Sequence, residues 1–396
     1  MYVEVIDTIN RLEAVSEEWN AVLASSRADT IFLTSDWLIS WWKGYQPAGR
    51  LLCLSVRDKK GRAVGFAPLF LKNRKKRGIK YRALIFLGDG TNDSEYLDIF
   101  CAEGYEHIVL PLLLDWIANN RGLWDVCEWN VIPKDSYSLH FIKEWILSQK
   151  GYHFTKPYEC SHVQLPDSYD KYLQLLSKKH RQNVRYYRKR AESRSQAQYL
   201  RLEDPDILDE ALKQLYLLHT RRWNHAGGQG SFTDQGRVRF YGIMARRMNT
   251  RGWLHFRQLN LVGRPAALQI GFIYNDTYTA LQEGFDPEMG RECPGVVLRA
   301  MVIQELINKG TVNYDFLGLQ TRAKERWNAQ VHHCSMLTVA PKNIRTHAVV
   351  GVPHGLEKIK AGLKKHTPHH VLALKRRVQN MLRRENSLDS KSGNKQ

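Results

Sequence analysis

Long apolar segments and paired cysteines are both missing from this sequence of 396 residues. The longest apolar stretches, such as residues 108–117, fall well short of the roughly 20 residues that a membrane-spanning helix needs. The six cysteines are scattered without a close pair, so the sequence indicates neither a zinc site nor a disulfide framework. Residues 1–10 lack the basic and then apolar pattern of a signal peptide, which favours a cytoplasmic protein.

Acidic residues are few in comparison with basic ones. The chain has 59 Lys and Arg against 40 Asp and Glu, a net charge of +19. Such an excess favours a polyanionic partner, which means nucleic acid, an anionic membrane surface or a phosphate-bearing small molecule. With 43% hydrophobic and 11% aromatic residues, the chain has the composition of a globular protein. Its length favours two domains.

The order of predicted helices and strands is the same in both halves of the chain. Each half begins with a strand and helices, among them a helix over residues 11–23, and continues with three strands, a helix and further strands. We therefore expect an amino-terminal domain at residues 1–165 and a second domain at residues 166–342 that begins with a basic linker helix, residues 168–195. Residues 343–396 form a basic tail, which we expect to touch phosphates or an anionic membrane surface.

Three groups of motifs follow one another in the second half. They are residues 176–185 (LSKKHRQNVR), residues 218–223 (LHTRRW), and a closing group made of residues 284–287, 294–295, 314–318 and 324–327. In this order they resemble the BioF-like or CelD-like acetyltransferase domain of the GNAT superfamily and, beyond it, the Fem-type aminoacyltransferases. The resemblance implies an α/β fold of two tandem GNAT-like units, each with a mixed, mostly antiparallel sheet flanked by helices. It also implies acyl transfer to an amine or a hydroxyl.

The loop and predicted helix start after residue 285 are the candidate donor site. A helix start offers unpaired N–H groups to a pyrophosphate, so we expect acetyl-CoA or another acyl-CoA to bind there. An ordinary loop with proline in the first helical turn is the alternative. The expected donor-binding residues are Arg291, Pro294, Gly295, Val296, Val297, Leu298 and Arg299.

Three residues near this loop are candidates for the chemical step. Glu283 or Asp315 is expected to take a proton from the acceptor, since the attacking amine must be neutral. Lys324 is expected to pair with a phosphate or with the developing oxyanion. For each of them a purely structural or surface role is the alternative.

The basic helix and the second motif group supply candidates for binding the acceptor. Arg181, Arg185 and Trp223 are the expected substrate-binding residues, while a solvated helix face is the alternative for the two arginines. His219, His332 and His333 lack the spacing of metal ligands, so we expect no metal.

Three functions remain open. The first is an N- or O-acyltransferase that uses acyl-CoA and a small-molecule or envelope-precursor acceptor, in the polysaccharide or envelope metabolism that the family context implies. The second is a Fem-type aminoacyltransferase that uses aminoacyl-tRNA, for which the positive charge would be useful. The third is a non-catalytic scaffold on the same fold. In each case the basic tail would allow peripheral contact with the inner face of a membrane.

Overall fold

Two successive runs of helices and strands build the structure, a computed structural model that describes residues 1–91 and 93–355. The helices of the first run are α1 (Ile9–Ala14), α2 (Ser16–Ala24), α3 (Ser35–Tyr45), α4 (Glu106–Asn119) and α5 (Tyr137–Ser148). Its strands are β1 (Tyr2–Ile6), β2 (Gly49–Leu51), β3 (Cys53–Arg57), β4 (Ala63–Ala67), β5 (Leu69–Lys76), β6 (Ile79–Phe86), β7 (Phe100–Cys101), β8 (Val126–Pro133) and β9 (Gly151–Gln164).

The second run repeats this order of elements. Its helices are α6 (Tyr169–Leu175), α7 (Lys178–Arg194), α8 (Pro205–His225), α9 (Gln235–Thr250), α10 (Pro294–Asn308) and α11 (Arg322–Glu325). Its strands are β10 (Gln198–Arg201), β11 (Leu254–Leu261), β12 (Arg264–Tyr274), β13 (Thr277–Phe285), β14 (Asn313–Gly318) and β15 (Gln330–Pro341).

Two helices that the sequence predicts as continuous are broken. The helix expected over residues 11–23 ends before Val15, whose ψ of 9° leaves the helical range, and α2 starts at Ser16. The expected basic helix is divided into α6 and α7. The Ser177 side chain accepts a hydrogen bond from the His180 N–H, which caps a new helix start within the predicted one.

An eleven-stranded sheet runs through both runs of elements, in the order β10-β11-β12-β13-β14-β9-β15-β8-β6-β5-β2. Each run contributes one parallel pair, β6 with β8 and β13 with β14. The neighbouring pairs, among them β11 with β12 and β12 with β13, are antiparallel. The predicted fold class, a mixed and mostly antiparallel α/β arrangement of two GNAT-like units, is confirmed.

The last strands of the two runs are exchanged at the centre of this sheet. β9 follows the helices of the first run, yet it pairs with β14 of the second run. In return, β15 of the second run pairs with β8 of the first. β9 and β15 also pair with each other, from His162 opposite Gln330 to Gly151 opposite Pro341. A strand predicted to close the first unit therefore joins the second, and the boundary at residues 165 and 166 stays a prediction.

Aromatic side chains from both runs meet where α3 packs against α9. The ring of Trp37 lies 5.2 Å from that of Phe240 and 5.6 Å from that of Phe272, measured between centroids. Trp37 is fully buried. The tryptophan-rich helix therefore belongs to the core that links the two runs.

Residues 75–79 and the described residues 342–355 belong to one compact unit, and residues 1–74 and 80–341 belong to another. In the described part of the tail, α12 (Ile344–Thr346) starts with a capping box at Asn343, and a π-helical turn follows at His347–Gly351. The remainder of the predicted basic tail, residues 356–396, lies outside the described residues. Among the described helices, none combines the length and the apolar character that crossing a bilayer requires.

Candidate functional site

The parallel strands β13 and β14 are paired over only a short length. Thr277–Thr279 lie opposite Asn313–Asp315, and the register goes no further. Beyond that point β14 has an irregularity between Asp315 and Leu317, where Leu317 takes a φ of 59° and Leu319 one of 57°. Non-glycine residues seldom adopt such angles. The two strand ends, at Glu283–Phe285 and Leu317–Gly318, therefore border an opening in the sheet.

A partly buried ion pair occupies the α10 side of this opening. The Glu283 carboxylate accepts hydrogen bonds from the guanidinium groups of Arg299 and, at 3.4 Å, Arg222. Burial acts to raise the pKa of Glu283, but the charges of Arg299 and Arg222 outweigh it and hold that pKa below its ordinary value. A carboxylate in this state is a weak base. The Arg299 guanidinium also lies over the Phe316 and Trp327 rings, so it points toward the protein interior.

The start of α10 offers fewer free amides than the sequence suggests. Cys293 precedes it with a φ of 48°, and its carbonyl oxygen accepts hydrogen bonds from the N–H groups of Val296, at 2.9 Å, and Val297, at 3.2 Å. Gly295 borders the Phe285 ring, since a Cβ at this glycine would lie 3.3 Å from that ring. The other expected donor-binding residues are Arg291, which is exposed, and Pro294 and Leu298, which are buried.

Lys324 and Asp315 lie together at the other strand end. The Lys324 ammonium donates to the carbonyl oxygens of Leu317, at 2.9 Å, and Gly318. Burial lowers the pKa of Lys324, against the opposing influence of Asp315 and other acidic neighbours. Asp315 accepts the Leu317 N–H at 2.6 Å and a hydrogen bond from Tyr96, and burial raises its pKa.

A cavity of about 460 Å³ opens beside Asp315. The second run contributes Thr277, Asn313, Asp315 and His332 to its wall, and β9 contributes His162. The first run adds aromatic and acidic groups, which are Tyr96, Asp98, Phe100, Glu106, Asp135 and Tyr137. Among the residues that the structure describes, the lining includes Asp315 but neither Glu283 nor Lys324.

Sequence reasoning missed His162 and Tyr96 of this cavity, and it considered His332 only as a metal ligand, a role that it rejected. The His332 Nε2 atom lies 3.6 Å from an Asp135 carboxylate oxygen, and its ring centroid lies 5.9 Å from that of His162. Tyr96 takes a φ of 51°. The one signal in the sequence is the acidic run of residues 89–98, which motif spacing does not connect with the second half. Within the described part of the chain, no group of His, Cys, Asp or Glu could hold a metal ion.

The predicted substrate-binding residues lie on two helices. The Arg181 guanidinium lies on α7 and reaches the carbonyl oxygens of Leu173 and Gln174, at 3.5 and 3.4 Å. Arg185 is exposed on the same helix. Trp223, on α8, is 43% exposed, and its indole N–H donates to the His219 ring at 3.0 Å. The structure does not bring the three together with Asp315.

Comparisons with known proteins agree with this architecture. Residues 178–327 match the family model described as "Acetyltransferase (GNAT) domain", which confirms the resemblance predicted from the motifs. A crystal structure of FemX has a TM-score of 0.62 at 12% identity, with 88% of this chain and 100% of that chain covered. A conserved protein of unknown function from Bacteroides thetaiotaomicron VPI-5482 has a TM-score of 0.51 at 13% identity, with 85% and 99% covered. At these identities the likeness shows the fold. No curated protein sequence matches the chain.

Proposed function

Because residues 178–327 belong to the GNAT acetyltransferase family, we propose that this protein transfers an acyl group from acyl-CoA to an amine acceptor. The observation that carries the proposal is the cavity beside Asp315. This carboxylate lies on β14, inside the family-matched segment, and lines a partly open space of about 460 Å³, together with Thr277 and Asn313 from the paired part of β13 and β14. A cavity of this size suits a small molecule or the end of a longer acceptor.

We propose that the acyl donor binds in the opening between the two strand ends. The acyl carbonyl would lie near Leu317 and Gly318, where the Lys324 ammonium is close enough to favour a developing negative charge. The CoA pyrophosphate would pass the start of α10 at Gly295, with Arg291 as a charged neighbour. Since Val296 and Val297 use their N–H groups within the turn, we assign a smaller part of pyrophosphate binding to these amides.

The chemistry of the cavity favours an amine over a neutral hydroxyl acceptor. Four lining residues are carboxylic acids, Asp98, Glu106, Asp135 and Asp315, and the one arginine among the described lining residues, Arg27, is bound to Glu103. A chain with a net charge of +19 thus presents an acidic wall at this place. Acidic side chains attract an ammonium group and can accept its hydrogen bonds. We assign Asp315, rather than the ion-paired Glu283, to the acceptor nitrogen.

Replacement of Asp315 by asparagine tests this assignment. We expect Asp315→Asn to lower turnover of the amine roughly a hundredfold, because the acceptor nitrogen loses its charged hydrogen-bond partner, and to leave donor affinity unchanged. Calorimetry with acetyl-CoA and a longer acyl-CoA measures binding, and steady-state rates with a panel of amines measure turnover. Asp167→Asn is the control, because Asp167 is an exposed partner of Lys171. Parental turnover in Asp315→Asn would show that another group meets the acceptor.

Aminoacyl-tRNA is the second candidate donor, and α7 is the observation that favours it. Its exposed basic side chains are those of Lys178, Lys179, Arg185, Lys189 and Arg194, whereas the ion pairs shown for this helix are made by Arg188 and Arg190. An unneutralised basic face suits a polyanion. Titration with charged tRNA beside the acyl-CoAs separates the candidates: tight, salt-dependent binding of tRNA without binding of acyl-CoA would favour the aminoacyltransferase. Binding of neither would favour a scaffold.

A further inference from the structure

The loop between β6 and β7 carries four buried carboxylic acids, Asp89, Asp93, Glu95 and Asp98. Burial of an acid is costly unless hydrogen-bond donors replace water. For three of these acids the structure supplies strong or multiple donors. Asp89 accepts from the Asn130 amide at 2.7 Å, Asp93 from Tyr45, Arg237 and Tyr241, and Asp98 from Ser136, Ser138 and the Ile99 N–H.

Glu95 is held by two neutral donors, one of which is a thiol. Its carboxylate accepts from the Tyr158 hydroxyl at 3.0 Å and from the Cys160 thiol at 3.8 Å. Its surface is 6% exposed. A phenol and a thiol are both neutral donors and the thiol is a poor one, so they compensate the negative charge of Glu95 less than a guanidinium would. Glu95 therefore lacks the charged donor that Asp93 has in Arg237.

Glu95 lies beside Gly318, at the strand end where we propose that the acyl carbonyl binds, and outside the described lining of the cavity. A Cβ atom at Gly318 would lie 2.5 Å from a Glu95 carboxylate oxygen and 2.2 Å from the Tyr158 hydroxyl oxygen. Only a glycine thus allows the loop of the first run to approach the irregular end of β14. The carbonyl oxygen of the same glycine accepts a hydrogen bond from the Lys324 ammonium. The next residue of the loop, Tyr96, lines the acceptor cavity and bonds to Asp315.

We infer that Glu95 takes up the proton that the acceptor amine loses during acyl transfer, an inference that rests on the proposed function. The amine nitrogen bonds to the acyl carbon and the bond from that carbon to sulfur breaks. The proton from nitrogen passes to the Glu95 carboxylate and from there to the departing thiolate, so that charge and protons balance. Asp315 holds the acceptor, and Glu95 is the proton-accepting group that the first run contributes.

The electrostatic surroundings of Glu95 agree with this role. The pKa of Glu95 is raised to about 7, chiefly by burial and also by the negative charge of Asp315, although Tyr158, Cys160 and Lys324 act to lower it. A proton acceptor works best when its pKa is close to the working pH. Glu283, by contrast, has a lowered pKa.

The pH dependence of turnover tests the inference. In the parent, kcat/KM should rise with pH through about 7, as Glu95 loses its proton. Glu95→Gln should lower kcat/KM roughly a hundredfold and remove this rise. Glu159→Gln, an exposed acid on the same strand as Tyr158 and Cys160, should keep both the rate and the profile. Retention of the parental rise near pH 7 in Glu95→Gln would overturn the inference.

A measurement of thermal stability tests the ionisation of Glu95 without any acyl donor. A carboxyl group whose pKa is raised in the folded state costs stability as pH increases from its unfolded to its folded pKa, because the folded state binds the extra proton. The Tm of Glu95→Gln should therefore exceed that of the parent by more at pH 8 than at pH 5. An equal difference at both pH values would overturn the inference. If the pH-dependent difference appears but no acyl-CoA is turned over, the proposed function fails and the ionisation of Glu95 stands.

Discussion

At the scale of single residues, the contacts of the candidate site join side chains that lie far apart in the chain. Asp315 and Lys324, both within the closing motif group, lie close to one another. Glu283 is tied to Arg299, which is 16 residues further along the chain and was expected to face a pyrophosphate. Tyr96 and Glu95 come from the other half of the chain. Periodicity and spacing indicate which elements form, but they do not indicate which side chains from distant elements meet.

The pair of Glu283 and Arg299 gives the residue-scale prediction. Their side chains are 27% and 16% exposed, so loss of the carboxylate leaves a poorly hydrated guanidinium without its closest partner. We expect Glu283→Gln to lower the free energy of unfolding by about 3 kcal/mol, toward the lower end for a broken buried pair. Urea denaturation of the variant and the parent measures this difference in the free energy of unfolding. The double variant Glu283→Gln with Arg299→Met should recover part of the loss, since it removes both charges. A single variant as stable as the parent would contradict the argument.

At the scale of elements, the sequence allows most helices and strands of both runs to be predicted, including the meander of β11, β12 and β13 and the helix α10 that follows it. It fails where a side chain starts a new helix inside an apparently continuous one, as Ser177 does before α7. It also does not indicate how helices from different runs pack. Such packing depends on shape at the contact, which hydrophobic periodicity does not describe.

The contact of α3 with α9 provides the element-scale prediction. A Cβ atom at Gly44 would lie 2.3 Å from the Phe240 Cα, so the two helix backbones approach closely at this glycine. Gly44→Ala should force them apart and lower the free energy of unfolding by about 2 kcal/mol. Gly242→Ala, on α9 itself, is the matched control. Its Cβ would meet only the end of the Arg246 side chain at 3.4 Å, so helix propensity should stabilise this variant by up to about 1 kcal/mol. Chemical denaturation of both variants tests whether their free energies of unfolding change in opposite directions.

At the scale of the whole molecule, the exchange of β9 and β15 is what sequence reasoning could not find. The predicted order of elements suggests that each run closes its own sheet. Side-chain alternation along a strand states which face is buried, but it is the same whichever neighbour the strand pairs with. Val163 and Leu165, at the end of β9, belong to the same buried cluster as Tyr314 and Phe316 of β14. The first half of the chain therefore supplies part of the core of the second.

This exchange predicts different behaviour for two fragments that differ by the segment containing β9. A fragment of residues 166–341 lacks β9, so both β14 and β15 lose a partner and the Tyr314 cluster loses Val163 and Leu165. We expect it to be unfolded or aggregated, because exposed strand edges pair with other chains. A fragment of residues 150–341 retains the order β10-β11-β12-β13-β14-β9-β15 and should fold. Circular dichroism and size-exclusion chromatography compare them. Equal folding of both fragments would mean that the second run closes its sheet without β9.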